Sequence, residues 1–245
     1  MMDTAAQMIK KIAHLFGLEI RFYHRYEKNR YVWLKRIPIG TIFDIGANTG
    51  QFAREFHDHF PNATIYSFEP LHETFRKLVD NCRGIGRHRA FNIALGDSTG
   101  TANMNRNVFS PSSSLLAMNA VHREAFPHTA STSVEEIVVK RLDDVIQEEQ
   151  LAVTSDILIK MDVQGLENKV LMGGKGTFAR AAVVITEIAF CELYRGQPLF
   201  DDLYRMLTAL DFKLAGFIDE GGYAPQTGLP LYTNAIFVKK GQMPA

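Results

Sequence analysis

Acidic side chains stand at the ends of several apolar, strand-like stretches of the sequence. In chain order these acids are Asp44, Glu69, Asp97, Asp162 and Glu187. A charge at the end of an apolar strand is costly unless it is paired or used. The carboxyl ends of parallel strands meet at one edge of a sheet, where open α/β sheets bind their ligands. The acids therefore predict a carboxylate-rich site that suits a ligand with positive charge.

Two of these acids are candidates for chemistry on a substrate hydroxyl. Asp162 follows Lys160 by two residues, so both side chains project from one face of a strand. They form either a structural ion pair or a carboxylate that faces the substrate or the cationic centre of the ligand. Glu187 is a second candidate base, and His122 and His128 rank below both carboxylates. Removal of the hydroxyl proton by such a base accelerates nucleophilic attack by the hydroxyl oxygen ~10²–10⁴-fold.

The other acids suit the binding of an adenosine. Glu69 lies one strand after Asp44, where its two acceptor oxygens could take both ribose hydroxyls. The alternative is a helix N-cap beside Pro70. Asp97 could accept a hydrogen bond from the exocyclic amine of adenine, and a turn-stabilising role is nearly as plausible.

The stretch 41–51 would form the cradle for this ligand. It reads TIFDIGANTGQ, an apolar strand, an acid, a turn with two glycines and the start of a helix in which Phe52, Phe56 and Phe60 recur every four residues. Glycine lets the backbone approach a ligand, and a helix N-terminus presents free N–H groups. The dinucleotide pattern G-x-G-x-x-G is absent, since Asn48 takes its middle position. An acid so near the turn favours S-adenosylmethionine (SAM) over NAD, and a ligand-free turn is the alternative.

The hydrophobic pattern places these residues in alternating strands and helices, as in a parallel sheet with covering helices. The last two strands are joined by a Gly/Pro-rich loop without a helix, so we expect that pair to be antiparallel. After the strand that enters the glycine turn, the predicted strands cover residues 63–68, 90–95, 136–140, 156–163, 181–188, 212–218 and 235–239.

Two regions depart from this alternation. Residues 98–132 are polar and rich in Asn and Ser, which predicts an active-site lid or a disordered excursion. Residues 1–38 are predicted to form an N-terminal helical segment ahead of a catalytic domain at 39–245. Residues 1–36 hold eight Lys/Arg against three Asp/Glu. That segment is either a basic amphipathic cap that lines a substrate cleft or touches a membrane surface, or a helix packed on the domain with a solvated charged face.

Composition narrows the class of protein. The 245 residues are 46% hydrophobic, and Lys+Arg and Asp+Glu balance at 27 each, so no global field favours nucleic acid. Cys82 and Cys191 lie far apart, which favours a reducing compartment. No apolar run approaches the ~20 residues of a membrane span, and lysines interrupt the N-terminal apolar pattern. We therefore expect a soluble, cytoplasmic protein.

Taken together, the motifs resemble class I SAM-dependent methyltransferases, and more closely the FkbM family. The resemblance covers roughly residues 40–240 and depends on an ordered series of motifs. The series is DIGANTGQ at 44–51, FEP at 68–70, NIALGD at 92–97, the Ser-Ser-Leu ending at Leu115, KMDVQGLE at 160–167, and Thr186-Glu187 followed by Tyr194.

The resemblance implies a Rossmann-like fold with a seven-stranded, mostly parallel sheet, an antiparallel last strand and helices on both faces. It implies SAM as cofactor and O-methylation of a sugar, glycolipid or polyketide-type product. Lys160, Asp162 and Glu187 would face the substrate side. The residues that would contact the cofactor are Asp44, Gly46, Ala47, Asn48, Gly50, Gln51, Phe52, Glu69, Pro70, Asn92, Asp97, Ser114 and Asp162.

Other functional classes remain open at this stage. A NAD-binding oxidoreductase and a non-catalytic SAM-binding protein are the two alternatives. A nucleic-acid methyltransferase is disfavoured by the zero net charge and by MDVQ at 161–164, where an Asn/Asp-Pro-Pro-Tyr tetrad would stand. A divalent ion on Asp162 could assist, but the acids show no tight ligand spacing, so we expect no metal. The expected partner is a small-molecule, glycan or lipid hydroxyl acceptor, with a homodimer and peripheral membrane contact left open.

Overall fold

The chain divides into two compact units, residues 1–36 and residues 37–245. The computed structural model describes residues 4–16, 31–107, 113–125, 132–154, 156–218 and 221–242.

The first unit contains helix α1 (Thr4–Leu15) and a 3₁₀ helix at Val32–Arg36. Helix α1 and the residue after it carry five exposed, large apolar side chains, which are Met8, Ile9, Ile12, Leu15 and Phe16. Over the described parts of the chain, no helix has the length and apolar character needed to cross a membrane. Membrane contact through this unit stays a prediction.

The second unit is built on a seven-stranded sheet in the order β3-β2-β1-β7-β8-β10-β9. Neighbouring strands are parallel from β3 to β8, whereas β10 is antiparallel to both β8 and β9. This confirms the predicted mostly parallel sheet with its antiparallel final pair. The strands are β1 (Thr41–Ile45), β2 (Thr64–Phe68), β3 (His88–Phe91), β7 (Ile157–Met161), β8 (Ala181–Ala189), β9 (Phe212–Ile218) and β10 (Tyr232–Lys239).

Helices connect the parallel strands. The sheet grows in one direction from β1 to β3 and in the other from β7 onward, so right-handed crossovers place the two groups of helices on opposite faces. The main apolar core fills the face that carries α5 to α8. The helices are α2 (Gln51–His59), α3 (His72–Asn81), α4 (Ala120–Ala125), α5 (Leu142–Glu148), α6 (Glu167–Gly173), α7 (Lys175–Arg180) and α8 (Phe200–Ala209).

A second, three-stranded sheet of order β4-β6-β5 corrects two predictions. The predicted strand at 90–95 is two strands, β3 and the short β4 (Ala94–Leu95), which pairs with β6. The predicted excursion at 98–132 begins with strand β5 (Gly100–Asn107), which is antiparallel to β6 (Thr132–Lys140). An antiparallel sheet with one solvated face carries polar residues in its strands. The polar, Asn-rich sequence of β5 therefore resembles that of a loop, which is why the sequence did not predict a strand there.

Candidate active site

A cleft opens at the carboxyl edge of β1, β2 and β7, beside the small sheet. It encloses about 700 Å³ of empty space when counted out to its open mouth. Its polar lining is Gly46, Asn48, Glu69, Ser113, Asp162 and Gln164, and apolar side chains that include Leu95, Met104 and Ile137 form a wall.

The glycine turn after β1 forms the floor of the cleft. Gly46 has a φ of +73°, and a Cβ there would collide with the backbone carbonyl of Asp162, so only glycine fits. The N–H groups of Gly46 and Ala47 both donate to the carbonyl oxygen of Phe68, each at 3.0 Å. Asn48 also has a positive φ, +48°. The turn is thereby fixed against β2 and β7 before any ligand binds.

Glu69 holds this turn from the neighbouring strand. Its carboxylate accepts hydrogen bonds from the backbone N–H of Asn48 and of Leu71, each at 3.0 Å. The side chain is 6% exposed, and burial raises the pKa of Glu69 to about 7. Helix α3 has Leu71 as its N-cap, so Glu69 does not occupy the N-cap position considered as the alternative. Each oxygen keeps a further lone pair with which to accept a ligand hydroxyl.

Lys160 joins two of the acids. Its ammonium lies 3.6 Å from Asp44 Oδ1 and 3.8 Å from Asp162 Oδ2, and it donates to the carbonyl oxygen of Gly46 at 2.8 Å. Burial opposes its charge, but Asp162, Asp44 and Glu187 outweigh burial and raise the pKa of Lys160. Burial raises the pKa of Asp44, against the pull of Lys160. Lys160 therefore stays charged and offsets part of the negative charge beside the turn.

The two candidate bases differ in environment. The side chain of Asp162 is 36% exposed, lines the cleft and accepts a hydrogen bond from Gln164 Nε2 at 2.6 Å. Burial, with the nearby charges of Asp162 and Glu167, raises the pKa of Glu187 well above its ordinary value. Asp162 is therefore placed at the cleft to accept a proton, whereas Glu187 is absent from the described lining and its contact with the substrate stays a prediction.

A second strained turn follows β7. Gln164 and Gly165 have φ values of +55° and +101°. Glu167 accepts from the N–H of Val163 at 3.1 Å and from that of Gly165 at 3.4 Å. The Glu167 side chain is 4% exposed, and burial raises its pKa to about 7. Sequence reasoning assigned no role to Gln164 or Glu167. The sequence signal that could have indicated this second turn is the pair Gln164-Gly165, which follows closely after the strand that ends in Asp162.

Some predicted cofactor residues support the cleft from outside its lining. Asn92 donates to the carbonyl oxygens of Glu69 and Pro70, at 2.9 and 2.8 Å, and so fixes the end of β2. Phe52 stacks on Phe56, and the Lys160 ammonium lies 6.0 Å from the centre of the Phe52 ring.

The remaining predicted residues lie in three settings. Asp97 pairs with Lys169 at 2.7 Å and is absent from the described lining, so its contact with adenine stays a prediction. Ser114 donates to the carbonyl oxygen of Gln164 at 2.7 Å. Gln51 begins α2 at an exposed position, and Gly50 has a φ of +87° within the glycine turn. Among the described residues, no three His, Cys, Asp or Glu side chains are grouped as a metal site.

The fold and the cleft define a Rossmann-like enzyme, and comparison with known proteins gives its family. The profile of the family described as "Methyltransferase FkbM domain" matches residues 44–214. The chain belongs to this family and is a methyltransferase, which confirms the class predicted from the motifs. The comparisons disfavour the NAD-binding oxidoreductase.

Two curated relatives carry related names. The chain is 32% identical over 171 residues to 2-O-methyltransferase NoeI of Sinorhizobium fredii, covering 65% of this chain and 68% of that protein. It is 28% identical over 209 residues to 31-O-demethyl-FK506 methyltransferase FkbM of Streptomyces tacrolimicus, covering 72% of this chain and 77% of that one.

One solved structure supports the fold. It is the crystal structure of methyltransferase FkbM from Methylobacillus flagellatus, with a TM-score of 0.51 and 14% identity. The match covers 81% of this chain and spans 44% of the length of that chain. At this identity the likeness shows the Rossmann-like architecture alone.

Proposed function

We propose that the protein is a SAM-dependent O-methyltransferase whose acceptor is a hydroxyl of a sugar, a glycolipid or a polyketide-type product. The observation that carries the proposal is the cleft at the carboxyl edge, where a backbone cradle at Gly46 is surrounded by carboxylates. Both curated relatives bear names that refer to O-linked methyl positions. Those names support oxygen as the methylated atom.

The cleft fits the cofactor in shape and in charge. The apolar wall of Leu95, Met104 and Ile137 suits a flat adenine ring, and Glu69 beside Asn48 suits a ribose diol. Asp44 and Asp162 lie within 4 Å of the Lys160 ammonium, so carboxylate charge exceeds cation charge at the turn. That surplus favours a ligand with an ammonium and a sulfonium group.

The chain contributes alignment and proton removal. When bound, SAM supplies a methyl group on a positively charged sulfur. Asp162, which lines the cleft, would accept the proton of the acceptor hydroxyl. The turns at Gly46 and Gln164 would hold the cofactor and the acceptor close together, which would lower the entropy cost of bringing them into contact.

Calorimetry tests the cofactor. S-adenosylhomocysteine (SAH) should bind and NADH should not, and the opposite result would contradict the proposal. For the acceptor, cell extract incubated with the protein and methyl-labelled SAM should yield a labelled product with an added O-methyl group by mass spectrometry.

Asp162→Asn should lose at least ~100-fold in transfer rate, a loss larger than any fall in its SAH affinity. Unchanged transfer by Asp162→Asn would remove the assigned base. Transfer that EDTA abolishes and Mg²⁺ restores would show a metal requirement.

A further inference from the structure

Residues 98–132, here called the insertion, contain a described part from which a series of hydrogen bonds leads to Asp162. His122, on α4, places Nε2 3.2 Å from the hydroxyl of Tyr194. The Tyr194 hydroxyl lies 2.8 Å from Gln164 Oε1, and Gln164 Nε2 lies 2.6 Å from Asp162 Oδ1. His122 is 3% exposed and Tyr194 is 1% exposed, so water does not compete for the bond between these two side chains.

The chemistry of the groups fixes the direction of the series. An ionised Asp162 only accepts, so Gln164 turns its NH₂ group to that carboxylate and its oxygen to Tyr194. Tyr194 uses its single proton on Gln164, and therefore accepts from His122, whose Nε2 carries the hydrogen. A carboxamide is a poor carrier of protons. The series therefore orients Asp162 and does not conduct its proton.

The insertion also holds the backbone of Gln164. Ser114 is fully buried, and its hydroxyl donates to the carbonyl oxygen of Gln164 at 2.7 Å. The same hydroxyl accepts from the N–H of Leu116 at 3.0 Å. A φ of +55° is uncommon for glutamine and persists only when its surroundings hold it. Ser114 supplies one such contact, and Tyr194 supplies another at the side chain.

Backbone bonds set Tyr194 and the insertion side by side. The N–H of Asn119 donates to the carbonyl oxygen of Leu193 at 3.0 Å, and the N–H of Arg195 donates to that of Ala117 at 2.9 Å. This pairing brackets Tyr194. A displacement of the insertion would therefore change the contacts of Gln164 with both Ser114 and Tyr194.

We propose that Gln164, Tyr194 and His122 are positioning residues that orient Asp162 for proton removal and so couple the insertion to the reacting centre. The proposal rests on the proposed function for the role of Asp162 as base. Gln164 occupies Oδ1, which leaves Oδ2, on the side of Lys160, to meet the acceptor hydroxyl. Further charged or titratable groups act on this region from β1, α6, β8 and β10, and they are Asp44, Glu167, Glu187 and Tyr232.

The test compares Tyr194→Phe with His122→Ala and His122→Gln. Tyr194→Phe leaves Gln164 free to reverse its amide, and we expect kcat to fall about 10-fold while the KM for SAM and the SAH affinity change by less than about threefold. The acidic limb of the rate profile should move to higher pH, because a donated hydrogen bond favours the ionised carboxylate. His122→Ala should show the same changes to a smaller extent. His122→Gln keeps an N–H donor and should restore them.

Controls separate a positioning role from a structural one. Tyr223→Phe removes a phenol hydroxyl from a residue that is 55% exposed, and it should leave the rate profile unchanged. Gln164→Leu removes the donor to Asp162 outright and should give the largest shift of the acidic limb. A fall in melting temperature and SAH affinity with no shift of that limb would overturn the proposal, as would wild-type kinetics in Tyr194→Phe.

A spectroscopic readout decides the inference independently of activity. In ¹⁵N NMR spectra of the free protein, the side-chain amide of Gln164 should shift in Tyr194→Phe and His122→Ala and return in His122→Gln. An unchanged Gln164 signal in Tyr194→Phe would contradict the proposal. Absence of SAH binding by the wild-type protein would instead contradict the proposed function and leave this spectroscopic result to stand by itself.

Discussion

Two turns at the carboxyl edge of the sheet, one after β1 and one after β7, are each held in a strained conformation by a glutamate, but the two glutamates differ in position. Each contains residues with positive φ, and each is held by a buried glutamate whose pKa is raised to about 7 by burial. Glu167 bonds to N–H groups two and four residues before it, within its own turn. Glu69 bonds to Asn48, 21 residues away, across the sheet.

The difference indicates what each glutamate stabilises. Glu167 can accept its hydrogen bonds within its own turn whether or not the rest of the sheet has assembled. Glu69, which follows β2, can bond to the turn after β1 only when β1 and β2 are paired. Glu69 therefore ties the binding turn to the assembled sheet. Glu167 shapes the turn that carries Gln164 beside the candidate base. Three predictions test this comparison, and a fourth concerns an exposed acid that lies in neither turn.

The largest effect is expected at the glycines. In Gly46→Ala the new Cβ would collide with the backbone carbonyl of Asp162, so we expect a loss of about 4 kcal/mol or more in the free energy of unfolding. In Gly165→Ala the nearest atoms are side-chain carbons at 3.0 and 3.1 Å, and about 1–3 kcal/mol is expected from strain at φ +101°. Guanidinium unfolding measures both. Equal losses of unfolding free energy in the two variants would contradict the expectation that the turn after β1 tolerates a side chain less well than the turn after β7.

The glutamates come next. Glu69 uses both of its oxygens, so Glu69→Gln leaves one buried backbone N–H without its partner and costs about 1–3 kcal/mol in the free energy of unfolding. Glu167 accepts both of its backbone hydrogen bonds with Oε1, so Glu167→Gln can keep them with its carbonyl oxygen and should cost less than about 1 kcal/mol. SAH affinity should fall at least about tenfold in Glu69→Gln, since Glu69 holds the cofactor turn, and less than about threefold in Glu167→Gln. Isothermal titration calorimetry measures the two affinities. A larger loss in Glu167→Gln would reverse the assignment.

The pH dependence of stability sharpens the comparison further. Each glutamate has a folded-state pKa of about 7 against an ordinary value of 4.5, so the folded state binds more protons between these limits. The free energy of unfolding therefore falls as pH rises from 4.5 to about 7, and this contribution is flat above. Each single Gln variant should reduce that slope. A wild-type slope in both variants would show that neither carboxyl has a raised pKa.

The smallest effect is expected at Asp97, which is half-exposed in its pair with Lys169. Asp97→Asn should change the free energy of unfolding by less than about 1 kcal/mol, because solvent screens exposed pairs. Thermal unfolding measures that change, and a loss of several kcal/mol would contradict it. Reduced SAH affinity at unchanged stability would support the predicted contact with adenine.

The sequence by itself determined the alternation of strands and helices, the glycine turn, the acids at strand ends and the antiparallel final pair. Each of these depends on a pattern within a few residues, or on a connection too poor in helix signals to cross the sheet. The identity of the family was likewise readable from short motifs in order, and the profile match at 44–214 confirms it.

Only the tertiary structure decided how the site is assembled. Tyr194 meets Gln164 across 30 residues and His122 across 72, and no local pattern encodes either contact. The small sheet was missed because β5 is polar on a solvated face, and its partner β6 lies beyond the insertion. Strand order brings these segments together. A hydrogen bond between distant side chains exists only once the intervening chain has folded, so residue spacing cannot reveal it.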